Sequence, residues 1–480
     1  MTNLQNKFAG KRIAILRGYP RLIDGESTSV EEMWKWGVKN DVQFHTFYLV
    51  KEYKAKSKIG KQVQFKDGYK HEYTTFNKSE CDKIAELINT EYDLVILVNP
   101  AKYYPKLGLT NVDIVAFKDM YAKINVLKVN TQHNSFSATY KKMPFLWSYL
   151  NNSDIIMNHD KDSYYLKSVA QALPSKRHRT YPMQLWNDVL QHKDYFKNEE
   201  RRNTVTYIGR FSIYKGPTLL LKYAEAIHAK GLLPEIYGMD ASRGCLDFIF
   251  THDNCNDKFH KKPIETANPI VDTYGLMPRD EVIKTFHKSL FAWTPFRFSG
   301  KESTSYGNRL EYSMQEAICA GAILVVHKEW ADKCTTKDGV RYSDIKHFAV
   351  ILDEDNPAAT VNQMAHIARD KDLQHKYRET AFRVLAEQYD SSIVIPELLE
   401  LMLSATKDPY KFDSDKQIVK YFTKSDELAD LFEHYVNVEG KIIPMAPGVL
   451  EEDKLCVFGG AWGRRAVTYQ EYEKSKKEQG

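Results

Sequence analysis

The feature that most constrains this chain is an alternation of two periods. Short apolar, β-rich runs alternate with amphipathic stretches of helical period from residue 12 to residue 403. The first series predicts strands at 12–16, 45–50, 93–98, 124–129 and 154–158, with helices at 30–39, 81–89, 112–121, 141–150 and 164–173. The second predicts strands at 204–208, 234–237, 290–293, 322–326 and 349–352, with helices at 217–230, 279–287, 308–320, 358–369 and 373–388. Such alternation specifies parallel sheets, because each crossover helix returns the chain to the same end of the sheet. A proline-containing, basic stretch at 173–182 separates the two series, and 480 residues exceed what one core organises. The expected organisation is α/β, with two doubly wound domains at 1–182 and 183–390. A helix at 391–405 returns to the first domain, and a charged, partly helical extension of unassigned role covers 406–480.

Composition narrows the classes. Hydrophobic residues make up 43% and charged residues 27%, an ordinary globular balance. No apolar run has the length of a membrane span, and the polar N-terminal stretch is no signal peptide, so a cytoplasmic protein without a membrane partner is expected. The six cysteines lack metal-ligand spacing, which fits a reducing compartment and predicts no structural metal. A net charge of +5 is compatible with a polyanionic partner without requiring one.

Two stretches carry chemistry. Residues 308–326 read as a helix, a small-residue turn at Gly321 and a buried strand. Asn308 and Glu311 have the spacing of a capping box. A Ser/Thr/Gly loop containing Ser305 precedes that helix, and free backbone N–H groups at a helix start attract anions. Glu316, further along, can reach ribose hydroxyls of a nucleotide diphosphate held there. The plain alternative is an ordinary helix–strand unit with Glu316 in solvent. About a hundred residues upstream, a strand runs into Gly209-Arg210, and Lys215-Gly216 opens the next helix. Arginine offers phosphate a fork and lysine a compact charge. Both would stand at the carboxyl end of a strand, where doubly wound sheets bind ligands.

Taken together, these residues resemble the retaining GT-B glycosyltransferases, and within them the DNA α-glucosyltransferases of T-even bacteriophages. The matching pieces are Gly209-Arg210 with Lys215-Gly216, Tyr237-Gly238-Met239-Asp240 with Ser242, Leu310-Glu311-Tyr312 followed by Glu316 and Gly321, Thr131-Gln132-His133, and Asp390-Ser391-Ser392. They keep their order over residues 10–405. The resemblance implies two Rossmann-like domains facing across a cleft. It implies a donor site of Gly18, Gly209, Tyr237, Gly238, Met239, Tyr274, Leu276, Ser305, Asn308, Glu311 and Glu316, with His133, Asn134, Arg210 and Lys215 at the reaction centre. Two positions depart from the pattern. Asn134 stands where the phage enzymes have an acid, and Asn308 where many retaining enzymes have the first of two glutamates.

The implied activity is transfer, with retention, of glucose or a pentose such as arabinose from a UDP-sugar to 5-hydroxymethylcytosine in duplex phage DNA, protecting it from host nucleases. The UDP-sugar is a co-substrate, and no cofactor or obligatory metal is expected, because fixed cations neutralise the diphosphate. Candidate phosphate contacts are Lys54, Lys56 and Lys58, which share one face of an extended segment, and the cluster Lys176, Arg177 and Arg179. Charge runs are more often solvated faces. Trp462 beside Arg464 and Arg465 reads as a docking anchor or a DNA wedge. A different acceptor, such as a glycan, lipid or small molecule, would use the same donor site.

Overall fold

A computed structural model of the chain describes residues 5–17, 25–50, 62–66, 69–98, 111–132, 146–158, 179–183, 186–197, 200–211, 215–240, 255–257, 271–274, 279–295, 310–328, 345–408, 435–438, 441–444, 449–451 and 454–455. The chain divides into two compact units, Met1–Met183 with Ile395–Gly480, and Gln184–Val394.

The first unit contains strands β1 (Arg12–Arg17), β2 (Gln43–Leu49), β3 (Gln62–Lys66), β4 (Tyr69–Phe76), β5 (Leu94–Val98), β6 (Leu127–Gln132), β7 (Ile155–Asn158) and β8 (Thr180–Pro182). Its helices include α1 (Gly25–Asn40), α2 (Cys81–Glu91), α3 (Asn111–Lys123) and α4 (Leu146–Asn151). The strands form one sheet in the order β3-β4-β2-β1-β5-β6-β7-β8. Every neighbouring pair is parallel except β3–β4. Strand β5 reads LVILV and is buried at every position, as a strand covered on both faces must be. The β3–β4 hairpin escapes a search for apolar runs because QVQFK and YKHEYTTF are polar strands at a sheet margin. Of the predicted helices in this half, 164–173 and the start of 141–150 lie outside the described residues.

The second unit contains β9 (Arg202–Phe211), β10 (Leu233–Asp240), β11 (Cys255–Asp257), β12 (Val271–Tyr274), β13 (Ser289–Trp293), β14 (Ile323–His327) and β15 (Ala349–Leu352). Its order is β11-β12-β10-β9-β13-β14-β15, parallel throughout. Helices α5 (Pro217–His228), α6 (Arg279–Lys288), α7 (Tyr312–Cys319), α8 (Ile345–Phe348), α9 (Pro357–Arg369) and α10 (Lys371–Tyr389) cover the two faces. Strand β14 shows the logic. Ile323 and Val325 point into a core with Leu220, Ile227 and Met364, while Leu324 and Val326 point into another with Phe286, Met314 and Leu385. This is the two-residue period of a strand buried on both sides.

The helix expected at 308–320 begins later. Glu311 is extended, at φ −69° and ψ 162°, and serves as the N-cap of α7 without a side-chain cap bond. The capping-box reading of Asn308 and Glu311 is therefore corrected. The N–H of Leu310 is taken by the Tyr389 hydroxyl at 3.1 Å, and the Glu311 carboxylate by Lys215, so neither serves a helical turn. Asn308 itself lies outside the described residues.

Helix α11 (Ser391–Ser404) starts in the second unit and ends in the first. After it, the chain is held to the first unit. Arg179 donates to the Thr406 carbonyl at 2.5 Å, and the Asp408 N–H to Asp154 at 2.8 Å. Further on, the described residues form β16 (Tyr435–Val438) with β17 (Lys441–Pro444), and β18 (Val449–Glu451) with β19 (Lys454–Leu455), both antiparallel. The partly helical character expected of this extension is not found among its described residues. No described helix is long and apolar enough to cross a membrane.

The turn between α7 and β14 depends on Gly321, at φ +77°. A Cβ there would lie 2.8 Å from the Phe196 Cα and collide with the Arg201 guanidinium. Arg201 donates to the carbonyls of Tyr195, Phe286, Ser289 and Ala320, joining three segments at one point. Burial, and behind it the nearby Arg378, lowers its pKa, and the four carbonyls offset the lost hydration. Gly231 has the same φ but open space around its Cα. We expect Gly231→Ala to cost about 1 kcal/mol from backbone strain, and Gly321→Ala about twice that or more, compared by urea denaturation of the two variants.

Candidate functional site

In the second sheet the chain leaves β9 for β10 on one side and later resumes at β13 on the other. The carboxyl ends of β9 and β13 are thus a topological switch point. Connections diverge there in opposite directions, leaving room for a ligand. Gly209 and Arg210 lie near the end of β9, opposite Gly238 and Met239 of β10, and Tyr237 lies opposite Tyr274 of β12. Six of the predicted residues therefore share one edge of one sheet. Glycines face each other across β9 and β10, and the Tyr207 hydroxyl lies 3.1 Å from where a Cβ at Gly209 would stand. Tyr237 places its hydroxyl 3.4 Å from Glu235.

Lys215 is set by the turn that follows it. Gly216 is the N-cap of α5 at φ +77°, with Pro217 next, so the chain turns sharply into the helix. A Cβ at Gly216 would lie 2.7 Å from Pro295 Cγ, which leaves glycine as the residue that fits. Trp293, the last residue of β13, donates its indole N–H to the Gly216 carbonyl at 3.0 Å. The neighbouring strand thereby fixes the turn that aims Lys215.

The Lys215 ammonium pairs with the Glu311 carboxylate. The pair is largely shielded, with the two side chains 16% and 15% exposed. It joins the start of α5 to the start of α7. The second Glu311 oxygen, Oε1, is buried with no hydrogen-bond partner among the described residues. One turn on, Glu316 is 9% exposed, so it is not the solvated residue of the plain alternative. Chemically, the arrangement brings together a cation, a helix start with outward N–H groups, and two carboxylates able to accept from hydroxyls. That suits a polyhydroxylated anion such as a nucleotide diphosphate. Among the described residues no cluster of His, Cys, Asp or Glu forms a metal site.

The structure brings Gly209, Arg210, Lys215, Tyr237, Gly238, Met239, Tyr274 and Glu311 to the carboxyl side of one sheet or to helix starts of one unit, with Glu316 in the middle of α7. Gly18, His133, Asn134, Leu276, Ser305, Lys54, Lys56, Lys58, Lys176 and Arg177 lie outside the described residues, as do the side chains of Arg210, Met239 and Tyr274. Their flanks are informative in the first sheet. Strand β6 ends at Gln132, directly before His133, and β1 ends at Arg17, directly before Gly18. The lysine segment 51–61 leaves the carboxyl end of β2, where the Val50 N–H bonds to Phe76. It resumes at Gln62, opposite Tyr73 of β4. Tyr73 in turn pairs with Thr46, so Gln62 stands three residues short of the carboxyl end of β4. Of the basic cluster, Arg179 is described: its guanidinium donates to Thr406 and lies 4.0 Å from Asp408. Two residues of the second-unit site have no local sequence signal, Trp293 and Tyr389. Each reads as core, and each uses its polar atom on the backbone of a site turn.

No family model and no curated protein matches the chain. Solved structures do. An α-glucosyltransferase in complex with UDP and a 13-mer DNA containing a central A:G mismatch superposes with a TM-score of 0.66 at 19% identity, covering 82% of this chain and 99% of that one. An α-glucosyltransferase with UDP-glucose and DNA containing an abasic site gives 0.67 at 19% identity, covering 82% and 98%. HepE of Anabaena in complex with UDP and glucose gives 0.52 at 13% identity, covering 82% and 99%. At these identities the likeness is one of fold. The two parallel-sheet α/β units, each with its switch point, and this likeness over four-fifths of the length agree: the chain has the GT-B glycosyltransferase fold and resembles the α-glucosyltransferase structures.

Proposed function

We propose that this protein is a retaining glycosyltransferase that moves a sugar from a UDP-sugar to the hydroxyl of 5-hydroxymethylcytosine in duplex DNA, a modification that would shield phage DNA from host nucleases. The observation that carries the reading is the Lys215–Glu311 pair, which joins two helix starts at the switch point of the second sheet. The fold likeness to an enzyme held with UDP and DNA supports the choice of donor and acceptor.

In this reading Arg210 and Lys215 neutralise the diphosphate, and the start of α7 turns the positive end of its dipole toward it. Glu316 holds the ribose, with Tyr237, Gly238, Met239, Tyr274, Leu276, Ser305 and Asn308 around the nucleotide. Oε1 of Glu311 accepts from a donor hydroxyl. The bond between the anomeric carbon and the diphosphate oxygen breaks. A bond forms on the same face to the hydroxymethyl oxygen, whose proton passes to the departing diphosphate. Charge develops on that leaving group, so fixed cations stabilise the transition state more than the ground state, and no obligatory metal is called for. His133 lies against the donor sugar. The Asn134 amide orients sugar hydroxyls without supplying a charge, which keeps both glucose and a pentose such as arabinose as donors. The target base leaves the stack to reach the site, while Lys54, Lys56 and Lys58 track phosphates. The likeness to HepE, held with UDP and glucose, favours a second reading with a glycan, lipid or small-molecule acceptor.

Arg210→Ala and Lys215→Ala should each lower turnover by about 2–4 kcal/mol of transition-state stabilisation and weaken UDP binding, measured by steady-state kinetics and calorimetry. Wild-type turnover in both variants refutes the donor assignment. Lys215→Met should also destabilise the fold by about 1–3 kcal/mol, because it leaves a shielded carboxylate without its counter-charge. Lys215→Met/Glu311→Gln should recover part of that loss, and a double-mutant cycle on denaturation midpoints reads the coupling.

Replacing Lys54, Lys56 and Lys58 with glutamine should weaken DNA binding for all sequences alike. It should also flatten the salt slope by up to ~0.9 per phosphate contact removed, with UDP affinity unchanged. The deciding experiment incubates the protein with labelled UDP-sugars and hydroxymethylated, methylated or plain duplex, then weighs the bases by mass spectrometry. Sugar on the hydroxymethylated base alone supports the proposal. Transfer to a glycan or small molecule, with none to DNA, replaces it with the second reading.

A further inference from the structure

We infer that Tyr389 is a positioning residue for the donor site, holding through its hydroxyl the backbone turn from which Glu311 meets Lys215. The inference rests on the donor site proposed above and adds to it a residue outside the ligand's reach. Tyr389 is the last residue of α10 and is wholly buried. Its hydroxyl accepts the Leu310 N–H at 3.1 Å, and the Leu310 carbonyl accepts from the Gln315 side chain at 2.8 Å. Both backbone groups of Leu310, itself wholly buried, are thus held by side chains. Glu311 is the next residue, so the direction of its carboxylate, and with it the place of the Lys215 ammonium, follows from where Leu310 is held.

The main chain of Tyr389 is tied as firmly. Its carbonyl accepts the Asn187 N–H at 3.0 Å, and the Asn187 carbonyl accepts from Ser391 at 2.8 Å, an isolated parallel bridge between Asn187 and Asp390. The buried Asp390 carboxylate accepts from the Leu190 and Ser392 N–H groups, each at 2.9 Å. Asn187 follows closely on the point where the chain passes into the second unit, and Asp390 shortly precedes the point where it leaves. One residue therefore connects the donor turn with both chain passages. Core packing asks only for the aromatic ring, and a phenylalanine would supply that. The hydroxyl is needed because a buried N–H without an acceptor is destabilising, and here the instability would fall on the residue before Glu311.

The test uses the full chain with Tyr389→Phe, which keeps the ring and deletes the acceptor. The control is Tyr121→Phe, which removes another wholly buried hydroxyl, 2.9 Å from the Ser153 hydroxyl in the first unit. UDP affinity is measured by calorimetry, donor and acceptor KM by kinetics, and melting temperature by scanning fluorimetry. Tyr389→Phe should weaken UDP binding roughly tenfold and raise the donor KM by a similar factor, with the acceptor KM unchanged. Tyr121→Phe should lower the melting temperature without changing UDP affinity. A variant that binds UDP as the wild type does, or an equal loss in Tyr121→Phe, overturns the inference and leaves the donor site standing. A wild-type protein that binds no UDP overturns the donor site and the inference together. If Tyr389→Phe does not fold, hydrogen exchange on the wild-type protein decides. On adding UDP, peptides spanning 310–316 and 386–392 should gain protection together, and protection confined to 310–316 overturns the inference.

Discussion

The site depends on one ion pair between the starts of two helices. Lys215 lies just before α5 and Glu311 caps α7, and almost a hundred residues separate them in sequence. Neither helix start would be placed by its own residues alone. The turn into α5 is set by Gly216, Pro295 and Trp293, and the approach to α7 by Tyr389 and Gln315. The pair then joins two independently braced turns across the switch point. Shielding makes this attraction stronger than it would be in water, and it raises the penalty for leaving either charge alone. The pair also fixes the place of the Lys215 ammonium at the start of α5.

The opposite edge of the same sheet is built for rigidity. Arg201 satisfies four carbonyls from three segments, and Gly321 makes room for it. The difference follows from the topology of parallel sheets. Loops at the amino ends of the strands only connect elements, so they can be tied with internal hydrogen bonds. Loops at the carboxyl ends flank the switch point, where crossover connections part, and there polar groups are left facing outward. The described carboxyl-edge residues of the second unit fit this division. They include the facing glycines Gly209 and Gly238 and the Lys215–Glu311 ion pair at two helix starts.

The legibility of the chain varied with the kind of information. Apolar runs such as LVILV and ILVV predicted their strands well because burial on both faces demands continuous apolar sequence. The polar β3–β4 hairpin and the strands of the C-terminal extension were missed for the same reason, since strands at sheet margins and in small hairpins carry no such demand. Gly209, Arg210, Lys215, Glu311 and Glu316 could be picked out as chemistry because charged residues beside glycines at strand ends have few other uses. Glu311 does not take the capping-box role that its spacing predicts. The spacing of Asn308 and Glu311 satisfies the rule for a capping box, yet a lysine distant in sequence competes for the carboxylate and wins. The bond from Arg179 to the Thr406 carbonyl is likewise invisible in a basic cluster, because its partner is distant in sequence.

By itself the sequence determined the two α/β series, the parallel character of their sheets, and which polar residues stand at strand ends. These follow from periodicity and burial, which act between near neighbours along the chain. Only the tertiary structure decided that Lys215 meets Glu311, that Tyr389 holds the Leu310 N–H just before Glu311, and that α7 begins after Glu311 rather than at Asn308. Each is a competition for a donor or acceptor between a local partner and one brought close by folding. Local spacing names the first contender, and the buried geometry of the fold decides which bond is made.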